Sequence, residues 1–195
     1  MTNHVPSVQE VVDLVAKRLL GSRIIQNSMR GDVLETIVDA GLGPPWRHCS
    51  GDWAAWDFRR DDGVRIQVKQ SAAAQSWDPD PSSGVQPPTR KPSAVRYSID
   101  YRSGFFEGAK WIRHQGRHAE VFIFAWHGET SAFADQRDAE QWAFFVIAEH
   151  SLPALQKSVT LTWLLQRVLP VGIRDLRRAV DECALAAKAH DGASA

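Results

Sequence analysis

The chain has 195 residues and a mass of 21.8 kDa, with 44% hydrophobic and 24% charged side chains. That composition excludes collagen-like, coiled-coil and largely disordered architectures and suits one domain with a core large enough to fold without cross-links. Lys plus Arg and Asp plus Glu are equal at 23 each, which argues against a dedicated basic coat protein for nucleic acid and leaves a local basic cleft open. Two cysteines, Cys49 and Cys183, are too few for a disulfide scaffold. The first ten residues carry no basic region followed by an apolar run, and no stretch of about 18 apolar residues occurs. The expectation is a soluble cytoplasmic protein of one domain, 1–195, with no membrane partner.

In chain order, Ser7 and Glu10 form a capping-box pattern ahead of a first helix. Its apolar stripe is Val8, Val11, Val12, Val15 and Leu19, and Gly21 ends it. A second helix is predicted over 28–40, capped by Asn27, with Leu34, Ile37, Val38 and Leu42 inward. A short strand follows at 46–49.

Residues 52–60 and 64–71 predict a β-hairpin. A three-residue loop Asp61-Asp62-Gly63, with Gly63 at positive φ, pairs Arg60 with Val64 and hence Phe58 with Ile66. Opposed residues share a face, so Trp56, Phe58, Val64, Ile66 and Val68 are expected on the apolar side. Asp57, Gln67 and Lys69 then gather on the other side. A register one residue out would scatter that triad.

Residues 72–93 are Pro-rich and irregular, and a loop that long in a small domain is usually functional or disordered. The part from Trp77 to Ser93 is expected to be mobile without nucleic acid and to cover the cleft when substrate binds. A strand is predicted at 94–101 and a helix at 104–114. The apolar runs 119–126 and 142–148 predict central strands covered on both faces. Two helices, 162–168 and 173–188, form a C-terminal extension over about 150–189, and residues 190–195 are expected to fray.

Asp57 on one hairpin arm and Gln67-Val68-Lys69 on the next resemble the motif of the PD-(D/E)XK, or restriction-endonuclease-like, nuclease superfamily. Its hallmark is an acid on one strand and an acid-x-Lys triplet on the paired strand, often with a further acid from the preceding helix. Glu35 occupies that helical place. The resemblance covers about residues 27–149 and implies an α/β fold with an αβββαβ core and a central mixed sheet of about five strands, helices on both sides. The residue before Asp57 is Trp56 where the motif has Pro. The middle acid is Gln67, similar to the Gln-x-Lys variant of Mrr-like restriction endonucleases.

The resemblance implies a Mg²⁺- or Mn²⁺-dependent phosphodiesterase acting on DNA more than RNA, of a defence or repair type. Asp57, Gln67, the Val68 carbonyl and Glu35 would hold the metal, and Lys69 would orient the attacking water. A hard cation needs few protein ligands when the phosphate supplies others, and an ammonium stabilises the developing charge. An amide at Gln67 ligates without adding charge, so affinity for the cation should be weaker. The alternative expectation is a non-catalytic protein of the same fold, serving as a nucleic-acid-binding or protein-interaction module. Homodimerisation is left open.

Charge is polarised along the chain. Seven basic residues between Arg90 and Arg117 face two acids, whereas six acids between Glu120 and Glu149 face one Arg. Arg90, Lys91, Arg96, Arg102, Lys110 and Arg113, interleaved with Tyr97, Tyr101 and Trp111, are the expected nucleic-acid contacts. The pair His114 and His118 lacks a third ligand and is assigned to structure, and Cys49 is assigned to a buried thiol. No Gly-rich phosphate loop or Ser-His-Asp signature is present.

Overall fold

The computed structural model describes residues 4–49, 55–79, 81–85 and 95–194. Helix α1 (Val8–Leu20) carries both reciprocal bonds of the expected capping box, Glu10 N to Ser7 Oγ at 3.2 Å and Ser7 N to Glu10 Oε2 at 2.7 Å. None of its residues is buried. Its stripe faces Met29 and Val33 across an open groove, and Arg137 holds its end through the Leu20 carbonyl at 3.0 Å.

Helix α2 (Asn27–Leu42) buries Leu34, Val38 and Leu42 as the periodicity predicts. Its cap differs from expectation. Gln26 is the N-cap, with no side-chain bond, and Asn27 is already helical. The Asn27 side-chain Oδ1 instead accepts from Arg30 at 2.8 Å, so the side chain serves a buried guanidinium.

Five strands form the central sheet in the order β1 (Arg47–His48), β2 (Phe58–Arg59), β3 (Arg65–Ala72), β7 (Val121–His127) and β8 (Trp142–Ala148). Only β3 and β7 run parallel. The hairpin register is the expected one, with Phe58 opposite Ile66, Arg60 N bonded to Val64 O at 2.9 Å, and Gly63 at φ 88°. The first arm is shorter than expected. Residues 52–54 lie outside the described residues, and the chain bends at Asp57. That bend breaks the alternation, so Trp56 leaves the face shared by Phe58, Val64, Ile66 and Val68 and joins the core on the opposite side.

The crossover from β3 to β7 corrects a second expectation. The Pro-rich segment contributes a 3-10 turn at Pro81–Ser83; Asp80 and 86–94, which include Arg90 and Lys91, lie outside the described residues. Strand β4 (Arg96–Ser98) forms as predicted but pairs with β9 (Ser158–Thr160) in a separate two-stranded sheet. Residues 104–114 are not a helix. They belong to an antiparallel hairpin, β5 (Arg102–Glu107) and β6 (Lys110–Gly116), with Glu107 opposite Lys110 and Gly108 at φ 59°. A two-residue loop opening at positive φ is a hairpin turn. Phe105 decides the outcome by docking against Trp56 and His118, with ring centroids 5.4 and 4.9 Å away.

Two cores flank the sheet. On one face Leu34, Val38 and Leu42 of α2, with Leu176, Val180 and Ala184 of α4 (Ile173–Ser194), cover Phe58, Ile66, Ile123 and Phe144. The other face is not covered by long helices as expected. It packs Phe122, Phe124 and Phe145 against Tyr97, Val159 and Leu164 from the small sheet and the short helix α3 (Leu161–Leu165). β7 and β8 are therefore buried on both sides, which their unbroken apolar sequences require. α3 ends earlier than predicted, leaving Leu165 exposed. α4 continues through the segment expected to fray, and His190 stacks on His150 at 4.1 Å. No helix of the described residues is long and apolar enough to cross a membrane.

Candidate functional site

Strand alternation sends Ile66 and Val68 into the helical core and Gln67 and Lys69 to the opposite face. The bend at Asp57 turns its carboxylate back onto β3. There Oδ2 accepts from Gln67 Nε2 and from the Val68 backbone N–H, each at 2.5 Å. The carboxylate thus takes an acceptor role that a strand carbonyl would otherwise hold. The three motif residues are brought together, with Gln67 buried and Asp57 and Lys69 half-buried.

Burial dominates the electrostatics. It pushes the Asp57 carboxyl above the usual carboxylate range, against the Val68 and Gln67 hydrogen bonds and the charges of Lys69 and Arg102. It pulls the Lys69 ammonium below the usual lysine value, helped by Arg102 and opposed by Asp57 and Glu35. Each group is held where its charged form is disfavoured, which is how sites tune acids and bases.

Glu35 comes from α2 and lies at the margin of this cluster. Its Oε2 is 2.8 Å from His48 Nε2. Burial raises its pKa, the His48 hydrogen bond opposes that, and the charge of Asp57 adds to the rise. It is within electrostatic reach of Asp57 and Lys69, but His48 is its direct partner.

Gln67 and Lys69 open into a cleft of about 160 Å³, also lined by Tyr101, Arg102, Arg117 and His118. At about 30 Å³ per water, that is room for roughly five waters or a phosphate group. Asp57 is not among the side chains lining it.

Of the expected nucleic-acid contacts, Arg102 reaches the cleft. Arg96, Lys110 and Arg113 stand exposed on β4 and β6. Arg117, counted in the same basic run, is committed to structure. Its side chain is 2% exposed, donates to Ile99 O at 2.6 Å and Pro153 O at 2.8 Å, and pairs with Glu149 at 3.1 Å.

His118 is the group that sequence reasoning passed over. Its ring is buried on the cleft wall, and its Nε2 finds no hydrogen-bond partner among the described residues. Burial lowers its pKa, with His114 adding to the effect, and the unpartnered Nε2 is itself buried within the wall. The His114-x-x-x-His118 spacing was the available signal. The two Nδ1 atoms are 3.4 Å apart, but what places His118 in the cleft is its approach to Phe105.

Among the described residues no group of three His, Cys, Asp or Glu side chains stands close enough to hold a metal ion. The donors at hand are the Asp57 carboxylate, the Gln67 amide and, at the margin, Glu35. That set suits a hard cation that takes one or two protein carboxylates and fills its remaining positions from water and phosphate. No known protein family matches the chain, and no curated protein matches it.

Proposed function

We propose that the chain is a metal-dependent phosphodiesterase of the restriction-endonuclease-like kind, acting on DNA in preference to RNA. The observation that carries this reading is the juxtaposition of the half-buried Asp57 and Lys69 with the buried Gln67 beside a cleft containing Arg102. A surface ion pair would leave both charges in water, where they contribute little. Here burial disfavours the charged form of each group. The finer fold assignment rests on α2, the three strands β1–β3, and β7 lying parallel to β3. A hairpin stands where that core would carry its second helix.

A bound Mg²⁺ or Mn²⁺ would neutralise phosphate charge and lower the pKa of water. Asp57, the Gln67 amide oxygen and the Val68 carbonyl would hold it, with Glu35 adding charge. Gln67 must turn its amide to present oxygen, since its nitrogen now donates to Asp57. Lys69 donates to the attacking water and Arg102 to the phosphate.

A second reading is a non-catalytic protein of the same fold. It is favoured by the Asp57 oxygen that already accepts two bonds and by the position of that carboxylate off the cleft lining. Cleavage of plasmid, linear, branched and single-stranded DNA with and without Mg²⁺ or Mn²⁺, using Lys69→Ala as control, separates the two. Metal-dependent cleavage lost in Lys69→Ala supports the nuclease. No cleavage, together with no Mn²⁺ binding by titration calorimetry, supports the binding module.

A further inference from the structure

The β5–β6 hairpin has two unlike faces. Phe105 and Ile112 are opposed on the inner one, and Phe105 packs on Trp56 and on His118 of the cleft wall. The outer face carries Phe106 opposite Trp111, 42% and 45% exposed, their rings 5.0 Å apart at 66°. Next on that face is Arg113, opposite Gly104.

Gly104 shapes this surface. A Cβ there would stand 2.8 Å from the Trp111 ring and closer still to the Ile112 carbonyl oxygen. The absent side chain lets the indole lie down on the strand, where its flank stays open. Single exposed apolar residues are ordinary. Two opposed aromatics with the exposed Arg113 next to them on the same face form a cationic stacking surface.

We propose that this outer face is a stacking platform for unpaired nucleotides, so that the cleft works on single-stranded or strand-separated nucleic acid. The role beside the cleft rests on the nuclease reading; the platform itself rests on the hairpin. The occupant follows from chemistry and continuity. Arg102, the first residue of β5, lines the cleft, and two residues along the strand Gly104 lies opposite Arg113 of the outer face, so the two guanidiniums offer successive phosphates of one strand a route round the edge of the hairpin. A base in a duplex is already stacked on both sides and offers no face to Trp111. An unpaired base does.

The test is fluorescence anisotropy of a labelled oligothymidine 15-mer and a blunt duplex of the same length, with the full chain in EDTA so that nothing is cleaved. The wild type is expected to bind the single strand more tightly. Trp111→Ala and Phe106→Ala should each weaken that binding by about 5- to 150-fold and leave duplex binding within about two-fold. Trp111→Phe should retain most of it, which separates stacking from loss of fold. Equal or tighter binding of the duplex, no binding of the oligothymidine, or indifference to Trp111→Ala overturns the platform. Trp111-dependent binding without any metal-dependent cleavage keeps the platform and removes the nuclease. Lys69-dependent cleavage of single strands that ignores Trp111 does the reverse.

Discussion

Ile66 and Lys69 lie three residues apart on β3 and point to opposite faces, so truncating each to Ala separates stability from chemistry. Ile66 is fully buried, with Phe58 beside it on β2 and Val121 on β7. Ile66→Ala removes three carbon groups, about 2.4 kcal/mol at ~0.8 kcal/mol per buried methylene. Neighbours fixed in a sheet collapse poorly onto the void, and the residual cavity brings the loss to about 3–4 kcal/mol. For a chain of this length that lowers Tm by roughly 6–16 °C.

Lys69→Ala should behave otherwise. Removing an ammonium that burial already disfavours relieves desolvation, while Asp57 loses a compensating charge. The two effects oppose, and the net change should stay within about 1 kcal/mol. Cleavage per folded molecule should fall about 10²-fold or more, as expected when a group aimed at developing charge is removed. Urea unfolding followed by tryptophan fluorescence, with cleavage rates measured in parallel, checks both. The reasoning is refuted if Lys69→Ala destabilises as much as Ile66→Ala, or if Ile66→Ala costs less than about 1 kcal/mol.

Asp57→Asn should be more stable than wild type at neutral pH. The folded state holds the Asp57 proton more tightly than the unfolded chain, so wild-type stability falls as pH rises from about 3.9 through the raised native value. The two proteins should converge below that range in pH-resolved denaturation, and Mn²⁺ should raise the Tm of wild type alone. Arg117→Ala should cost about 3 kcal/mol in chemical unfolding, because its partners Ile99 O, Pro153 O and Glu149 are left unsatisfied. Arg113→Ala, exposed, should cost within about 0.5 kcal/mol and weaken DNA binding most at low salt. Val12→Ala on the uncovered face of α1 should leave stability unchanged or slightly raised, since Ala is the better helix former. Val38→Ala, fully buried on α2, should cost about 2–3 kcal/mol.

The site divides its labour between neighbours in sequence. Gln67 and Lys69 are polar because their face meets the cleft, and Ile66 and Val68 are apolar because theirs meets the helices. The same division recurs in the basic run. Arg102 and Arg117 both touch the cleft, yet Arg117 spends its donors on carbonyls and Glu149. Counting charges in the chain does not separate the two roles; burial does.

Local chemistry made much of this protein legible in its sequence. The Ser7–Glu10 capping box, the Gly63 turn and the unbroken apolar runs of β7 and β8 follow from bonds and spacings within a few residues. The turn and the apolar pattern together give the pairing of Phe58 with Ile66, which brings Asp57 near Gln67 and Lys69, while the bend that aims its carboxylate at the Val68 amide did not follow from them. What the sequence left undecided depended on partners far along the chain. Residues 104–114 allow a helix by composition and became strands because Phe105 found Trp56 and His118 and because Gly108 accepts a positive φ. Trp56 changed faces because the carboxylate of Asp57 bends the chain onto the Val68 amide. His118 reached the cleft, and Arg117 of the basic run was drawn into structural bonds, through contacts between residues many positions apart. Short-range rules speak to backbone preference and spacing. Which surface a side chain meets, and how much water it keeps, is decided only when the layers close.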